Sequence, residues 1–231
     1  SLNVSEAITN SCNVFFYEVG YQLGLNGDKY DQDLGNEKLA KYASMYGLNE
    51  KSGIEIEESE PQISDALSVV SAIGQGTNNF TTVGLARYVT TVANSGTCYD
   101  LTLLDKVTDT SGNLLVNYSA NVRNTIDMPQ SYWNAIHQGM RGVVQNKKYY
   151  QDFGVEVAGK TGTAEEDKSR PNHGLFVGYA PYDNPEVSMA IRIANGYSKQ
   201  LMTVYFDLDE NGALTASQTA LSLETVVGGG D

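Results

Sequence analysis

Residues Gly154-Val155-Glu156-Val157-Ala158-Gly159-Lys160-Thr161-Gly162-Thr163-Ala164 open with eight letters that fit the phosphate-loop pattern G-x-x-x-x-G-K-[ST]. Such a loop needs a glycine-rich, unpaired backbone that curls its N–H groups round the anion, with a helix starting at the lysine. The four residues between the glycines alternate and are β-prone, so the spacing predicts a strand, and Glu156 would set a negative charge against the phosphates. After Thr161 come Gly162, Thr163 and the polar run at 165–173, EEDKSRPNH, where glycine and proline argue against a helix. Lys160-Thr161-Gly162 is therefore expected on a strand, and the second half of the chain as β structure.

Working outward from this strand, two further β segments are predicted, Gly174 to Tyr179 and Glu186 to Ala194. In the second, Val187, Met189, Ile191 and Ile193 alternate with Ser188, Ala190, Arg192 and Ala194. Short polar turns join the three segments, and short connections favour antiparallel neighbours. The first half reads as helix. Asn3 with Glu6 three positions on resembles a capping box, and Phe15, Val19 and Leu23 fall at i, i+4, i+8 before Gly24. Ser11 and Asn13 would then sit at a junction between two helices. Glu37 to Tyr46 and Thr82 to Asn94 are further helices, Pro129 opens another through Trp133, Ile136, Met140 and Val143, and 101–118 reads as a hairpin round Thr110-Ser111-Gly112-Asn113. The expected fold class is α/β in the α+β sense, with helices covering an antiparallel sheet.

Composition narrows the function classes. With 231 residues and 41% hydrophobic content, the chain can build one sizeable core. Its net charge of -13 argues against nucleic acid as a partner, because phosphate contacts need a basic face. No apolar run approaches the ~20 residues of a membrane helix. Cys12 and Cys98 are expected to be free thiols, and His137 and His173 are expected to be packing or surface residues, since no Cys/His cluster has zinc spacing. Asp207 to Gly212 matches the first half of a calcium loop, but its twelfth position is Gln218 where a bidentate glutamate is needed, so an acidic turn is the preferred reading. The chain begins at Ser1 and enters a helical pattern almost at once, which suggests part of a longer polypeptide. Residues 1–206 are assigned to one domain and 207–231 to a polar tail, peripheral or disordered.

With Lys160-Thr161-Gly162-Thr163-Ala164 on a strand and Ser11-Cys12-Asn13 at a helix junction, the pattern resembles the penicillin-binding protein transpeptidases, with their S-x-N and K-T-G motifs. SEAITNSCNVFFYEVGYQLG, YGLNEKSGIEI, AIGQGTNNFTTVGLARYVTTVANSGT and VAGKTGTAEEDKSRPNHGLFVGYAP all look like the family, in its order, and together cover most of residues 1–197. Taken singly, S-x-N is weakly and K-T-G moderately specific; the ordered set with IGQG between them is highly specific. The resemblance implies a penicillin-binding protein and serine β-lactamase-like fold, incomplete at its N-terminus, from the C-terminal part of a high-molecular-weight, class B member.

It also implies roles. Ser11 and Lys160 would be catalytic, Ser11 as a proton relay. Asn13, Thr161, Gly162 and Thr163 would bind substrate. The chemistry suits acyl transfer to and from a peptide ending in a carboxylate: Lys160 supplies a compact charge, Thr161 and Thr163 add hydroxyls, and Gly162 lets an extended peptide lie against the strand. The Thr163 N–H would serve an oxyanion hole, and Asn13 would clamp a substrate amide. Read without the family, Ser-x-Asn beside a helix start is usually a cap, a strand lysine is usually a solvated edge residue, and Phe15, Phe16 and Tyr17 are core.

One departure stands out. The family's nucleophile is the serine of an S-x-x-K motif upstream of S-x-N, and none of the serines in this chain has lysine three residues later. The chain therefore carries the substrate-binding wall without the attacking group, and alone is expected to be inactive. The parent would be a D,D-transpeptidase cross-linking peptidoglycan stem peptides and binding β-lactam antibiotics. It would be tethered by an upstream membrane segment on the extracytoplasmic face, beside a membrane glycan polymerase, with no cofactor or metal. A β-lactamase or D,D-carboxypeptidase of the same fold, or a β-lactam sensor or scaffold that does not turn over, are the competing readings.

Overall fold

The computed structural model describes residues 1–147, 154–166, 169–196, 206–208 and 214–216. Two short helices open the chain, α1 (Val4–Thr9) and α2 (Asn13–Leu23). The capping box is present as read, with Asn3 accepting from the Glu6 N–H and Glu6 accepting from the Asn3 N–H, both at 2.9 Å. A small hairpin follows, β1 (Leu25–Asn26) and β2 (Lys29–Tyr30), leading to α3 (Gln32–Met45). The third helix starts five residues before the expected Glu37. Asp31 caps it by accepting from the N–H groups of Asp33 and Leu34, a signal stronger than the weak apolar pattern of its first turn. Then come α4 (Ser68–Ser71) and α5 (Thr82–Ala93). Next are strands β3 (Thr97–Asp100), β4 (Lys106–Thr108), β5 (Leu114–Asn117) and β6 (Asn121–Thr125), and helix α6 (Gln130–Gln145). The predicted 101–118 hairpin is β4–β5, and β3 pairs with β6 on either side of it, a pairing that local patterning does not reveal.

The three predicted C-terminal strands form one antiparallel sheet in the order β7 (Ala158–Ala164), β8 (His173–Ala180), β9 (Val187–Ile193). β8 is central, so one edge of β7 pairs with no strand among the described residues. Val155, Glu156 and Val157 are not part of the sheet, contrary to expectation. Their alternation reflects packing of another kind: Val157 is buried with Val144 and Ala180, and its carbonyl accepts Arg141 Nη1 at 3.0 Å. Of the assigned tail, 207–208 and 214–216 belong to the hairpin β10 (Phe206–Leu208) and β11 (Leu214–Ala216); most of the calcium-like run lies outside the described residues.

α5 is the core helix. Its Val89, Val92 and Ala93 pack with Met140 of α6 and with Ala158 and Tyr179 of the sheet, all buried. Each fully buried valine or methionine here contributes about 1.5–3 kcal/mol, which is why the helices cover this face. The same helix buries Arg87, whose Nη2 donates to the carbonyls of Gly47 and Glu50 and so anchors the loop after α3. α2 is less buried than expected. Gly20 is its buried residue, pressed against α4, while Phe15 and Phe16 are half-buried and Tyr17 and Val19 are exposed.

α6 sets the distance between the two halves of the site. On one side it receives α1. A Cβ at Gly139 would stand 2.8 Å from Ile8 Cβ, and one at Gly142 would collide with Thr9. Closeness lets Ser5 Oγ donate to the Ala135 carbonyl at 2.8 Å and Thr9 Oγ1 to the Gly139 carbonyl at 3.1 Å. On the other side Arg141 of α6 reaches the segment leading into β7, pairing with Glu156. Both motifs are thus fixed to one helix.

Candidate active site

Ser11 follows α1 in a left-handed conformation, φ 49°. Its N–H donates to the Ile8 carbonyl at 3.1 Å and the next N–H, of Cys12, to the Ala7 carbonyl at 2.9 Å. That pair of bonds closes the helix in a Schellman motif, whose left-handed position is ordinarily glycine. Ser11 is therefore not a helix cap for α2: the capping position is Cys12, which makes no side-chain cap bond. The reversal aims the Ser11 hydroxyl at β7, where Lys160 Nζ donates to it at 2.6 Å and to the Thr161 carbonyl at 2.8 Å. Two residues 149 positions apart meet because α1 and β7 share α6.

Lys160 is half-buried, not a solvated edge residue. Burial holds its ammonium below the ordinary lysine range, and the positive charge of Lys147 lowers it further. Asn13 is exposed at the first position of α2. Thr161 and Gly162 are half-buried and Thr163 exposed along β7. Beyond Thr163 lies a cavity of about 800 Å³ between β7, β8 and the loop after α4, with Gln75, Thr163, Glu166, His173 and Arg192 in its walls. Ser11 and Lys160 are not among those walls, so the cavity continues the site along the strand and does not enclose its charged centre.

His173 is buried, as a packing residue should be. Its Nδ1 accepts from the Asn195 N–H at 3.0 Å, which leaves the proton on Nε2, 2.7 Å from Glu166. That hydrogen bond holds the Glu166 carboxyl below the usual carboxylate range. His137 likewise packs, against Tyr179, with Nε2 2.7 Å from the Val92 carbonyl. Cys12 and Cys98 are free thiols. Among the described residues no group of His, Cys, Asp and Glu is placed to hold a metal ion, and no helix is long and apolar enough to cross a membrane.

The penicillin-binding protein transpeptidase domain model matches residues 1–207. The chain belongs to this family. Penicillin-binding protein 2A of Bacillus subtilis is 27% identical over 248 residues, taking in 90% of this chain and 34% of that protein. The peptidoglycan D,D-transpeptidase MrdA of Haemophilus influenzae is 26% identical over 231 residues, 84% of this chain and 33% of its own length. Penicillin-binding protein 2B of Streptococcus pneumoniae superimposes with a TM-score of 0.73 at 24% identity, over 83% of this chain and 35% of that one, a likeness of fold. The chain spans about a third of the length of the curated relatives it matches. The α+β fold expected from the sequence is that of this family of penicillin-binding protein domains.

Gln75 was not among the residues the sequence nominated. Its Nε2 donates to the Thr163 carbonyl at 3.3 Å, from the IGQG run that had marked only the resemblance.

Proposed function

We propose that this chain is the substrate-binding part of a class B peptidoglycan D,D-transpeptidase, which acylates on a D-Ala-D-Ala stem peptide and passes the acyl group to an amine of a neighbouring strand. The observation that carries the reading is the Lys160 ammonium, half-buried at the open edge of β7 with Ser11 Oγ 2.6 Å away. A charge held partly out of water beside a hydroxyl and a strand edge that pairs with no strand among the described residues suits a peptide that arrives extended and ends in a carboxylate. In this reading Lys160, Thr161 and Thr163 hold the carboxylate, Gly162 leaves room for the peptide backbone, the Thr163 N–H faces the oxyanion, Asn13 holds an amide, and Ser11 relays a proton to the leaving amine. β-Lactams fit the same edge. The attacking serine, the membrane tether on the extracytoplasmic face and contact with a glycan polymerase belong to the longer polypeptide. No cofactor enters the scheme.

The test is product analysis on the full-length protein with a stem peptide ending in D-Ala-D-Ala, with and without an amino acceptor. Cross-linked product that grows with acceptor is expected. Hydrolysed peptide alone would assign a carboxypeptidase, hydrolysed penicillin a β-lactamase, and stable penicillin binding without peptide turnover a sensor.

The lysine makes a pH prediction. Only its protonated form binds a carboxylate, and burial has moved its loss of proton below the ordinary value of 10.5. Acylation by penicillin in the full-length enzyme should therefore fall on the alkaline side at a pH lower than that value. Lys160→Arg should remove this limb, since arginine keeps its proton, at some cost in geometry. Lys160→Ala should cost about tenfold to a hundredfold at neutral pH, matching a charge-assisted contact of about 1.5–3 kcal/mol. An alkaline limb unmoved by Lys160→Arg would assign it to another group.

A further inference from the structure

We propose that Gln75 is a positioning residue for acyl transfer: its carboxamide, presented between two left-handed glycines, holds the Thr163 carbonyl and thereby keeps the Thr163 N–H turned toward the reacting carbonyl. The proposal rests on the transpeptidase reading above.

The argument starts from strand geometry. In an antiparallel ladder the N–H and C=O of one residue point to the same side, and residues two apart share that side. Gln75 reaches the Thr163 carbonyl from a loop outside the sheet, so the backbone groups of Thr163, and with them those of Thr161, face the open edge of β7. Of the outward carbonyls, that of Thr161 accepts from Lys160 Nζ and that of Thr163 from Gln75 Nε2. Held by that bond, the Thr163 backbone keeps its N–H on the same open side, the polarity that a substrate carbonyl developing negative charge requires.

The loop that carries Gln75 is built to hold one position. Gly74 and Gly76 both sit at φ 82°, where a side chain is strained. A Cβ on Gly76 would stand 2.5 Å from Ser64 Oγ and 3.0 Å from Ala66 Cβ. The Gln75 carbonyl accepts from Asn78 Nδ2 at 3.1 Å, and Asn78 Oδ1 accepts from the Ser64 N–H at 2.8 Å. Ser64 Oγ in turn accepts from Ser71 Oγ at 2.7 Å and from the Thr77 N–H at 3.1 Å. The loop backbone is thus tied to a buried serine pair at Gln75, through Asn78, and at Thr77, while the Gln75 side chain reaches β7. A neutral bond at 3.3 Å at the surface adds little to stability, so removing it should show in the rate and hardly at all in the fold.

The experiment is stopped-flow acylation of the full-length enzyme with a fluorescent penicillin, which separates the dissociation constant of the first complex from the acylation rate constant. Gln75→Met keeps the length and removes the donor. Its rate constant should fall about tenfold, a fraction of the hundredfold or more that losing an oxyanion donor costs, with the dissociation constant within about twofold. Gly76→Ala leaves Gln75 in place but displaces the loop and should give the same fall. The double variant should be no slower than either single one, because both remove the same contact. The proposal is overturned by an unchanged rate constant, by an effect confined to the first complex, or by additive losses. A rate constant that rises would overturn it too, since the amide would then be a competitor for the carbonyl. So would a melting temperature lower by more than about 5 °C in Gln75→Met, which would make the contact a brace of the fold. Wild-type enzyme that fails to acylate at all would instead remove the transpeptidase reading on which the proposal stands.

Discussion

Incubated with a fluorescent penicillin and separated on a denaturing gel, the 231-residue chain is expected to stay unlabelled. Penicillin is retained by a covalent ester to a nucleophilic serine, and no serine in the chain has the lysine three residues on that would activate it. The structure offers a rival, which makes the experiment worth doing. Ser11 Oγ lies 2.6 Å from a lysine whose ammonium is held below its ordinary range, the same pairing of hydroxyl and amine in another guise. Its geometry argues against attack by Ser11, because Lys160 also donates to the Thr161 carbonyl and is placed as a cation facing the strand edge. A longer polypeptide that includes an S-x-x-K segment should label stoichiometrically. An adduct on the 231-residue chain, mapped by mass spectrometry to Ser11, would sink this assignment and make Ser11 the nucleophile.

Ser11 also carries the second large effect. In the full-length enzyme, Ser11→Ala should slow acylation by about a hundredfold or more, the worth of a proton relay, while non-covalent affinity changes little. Ser11→Gly should slow it equally, since both remove the hydroxyl. The two should part company in stability. At φ 49° a side chain costs about 1–2 kcal/mol that glycine does not, so Ser11→Gly should raise the melting temperature of the domain by about 2–4 °C per kcal/mol and Ser11→Ala should not. A serine where glycine would be more stable supports the proposal that its hydroxyl is used. Equal melting temperatures for the two variants would refute the strain, and loss of first-complex affinity at an unchanged acylation rate would make Ser11 a substrate contact.

Much of this molecule is written in short-range pattern. The capping box at Asn3 and Glu6, the helix after Pro129, and the alternation from Val187 to Ile193 each depend on neighbours within a few residues, and each stands as read. The same logic misled at Val155 to Val157, where alternation comes from one residue packing on α6 and another pairing with Arg141. It was silent on β3 and β6, because the hairpin between them hides the pairing. For the candidate site, the sequence nominated Ser11, Asn13, Lys160 and the threonines through an ordered resemblance and placed them at a helix junction and on a strand, but could not bring the two together. Left-handed Ser11 is illegible because serine carries no signal for a position that normally calls for glycine. Gln75 is illegible because its partner is 88 residues away on another element.

The sequence by itself determined most of the helices and the three C-terminal strands, which follow from local sterics and from the period with which side chains are buried, and its ordered motifs named the polar residues of the candidate site. The tertiary structure alone decided that the hydroxyl of Ser11 meets the amine of Lys160 and that Gln75 closes the far carbonyl of the same strand edge. Periodicity states that a face will be covered but not by what. Here the answer comes from α6, whose glycines let α1 approach on one side while Arg141 holds the entry to β7 on the other, so that two motifs without sequence proximity share one frame.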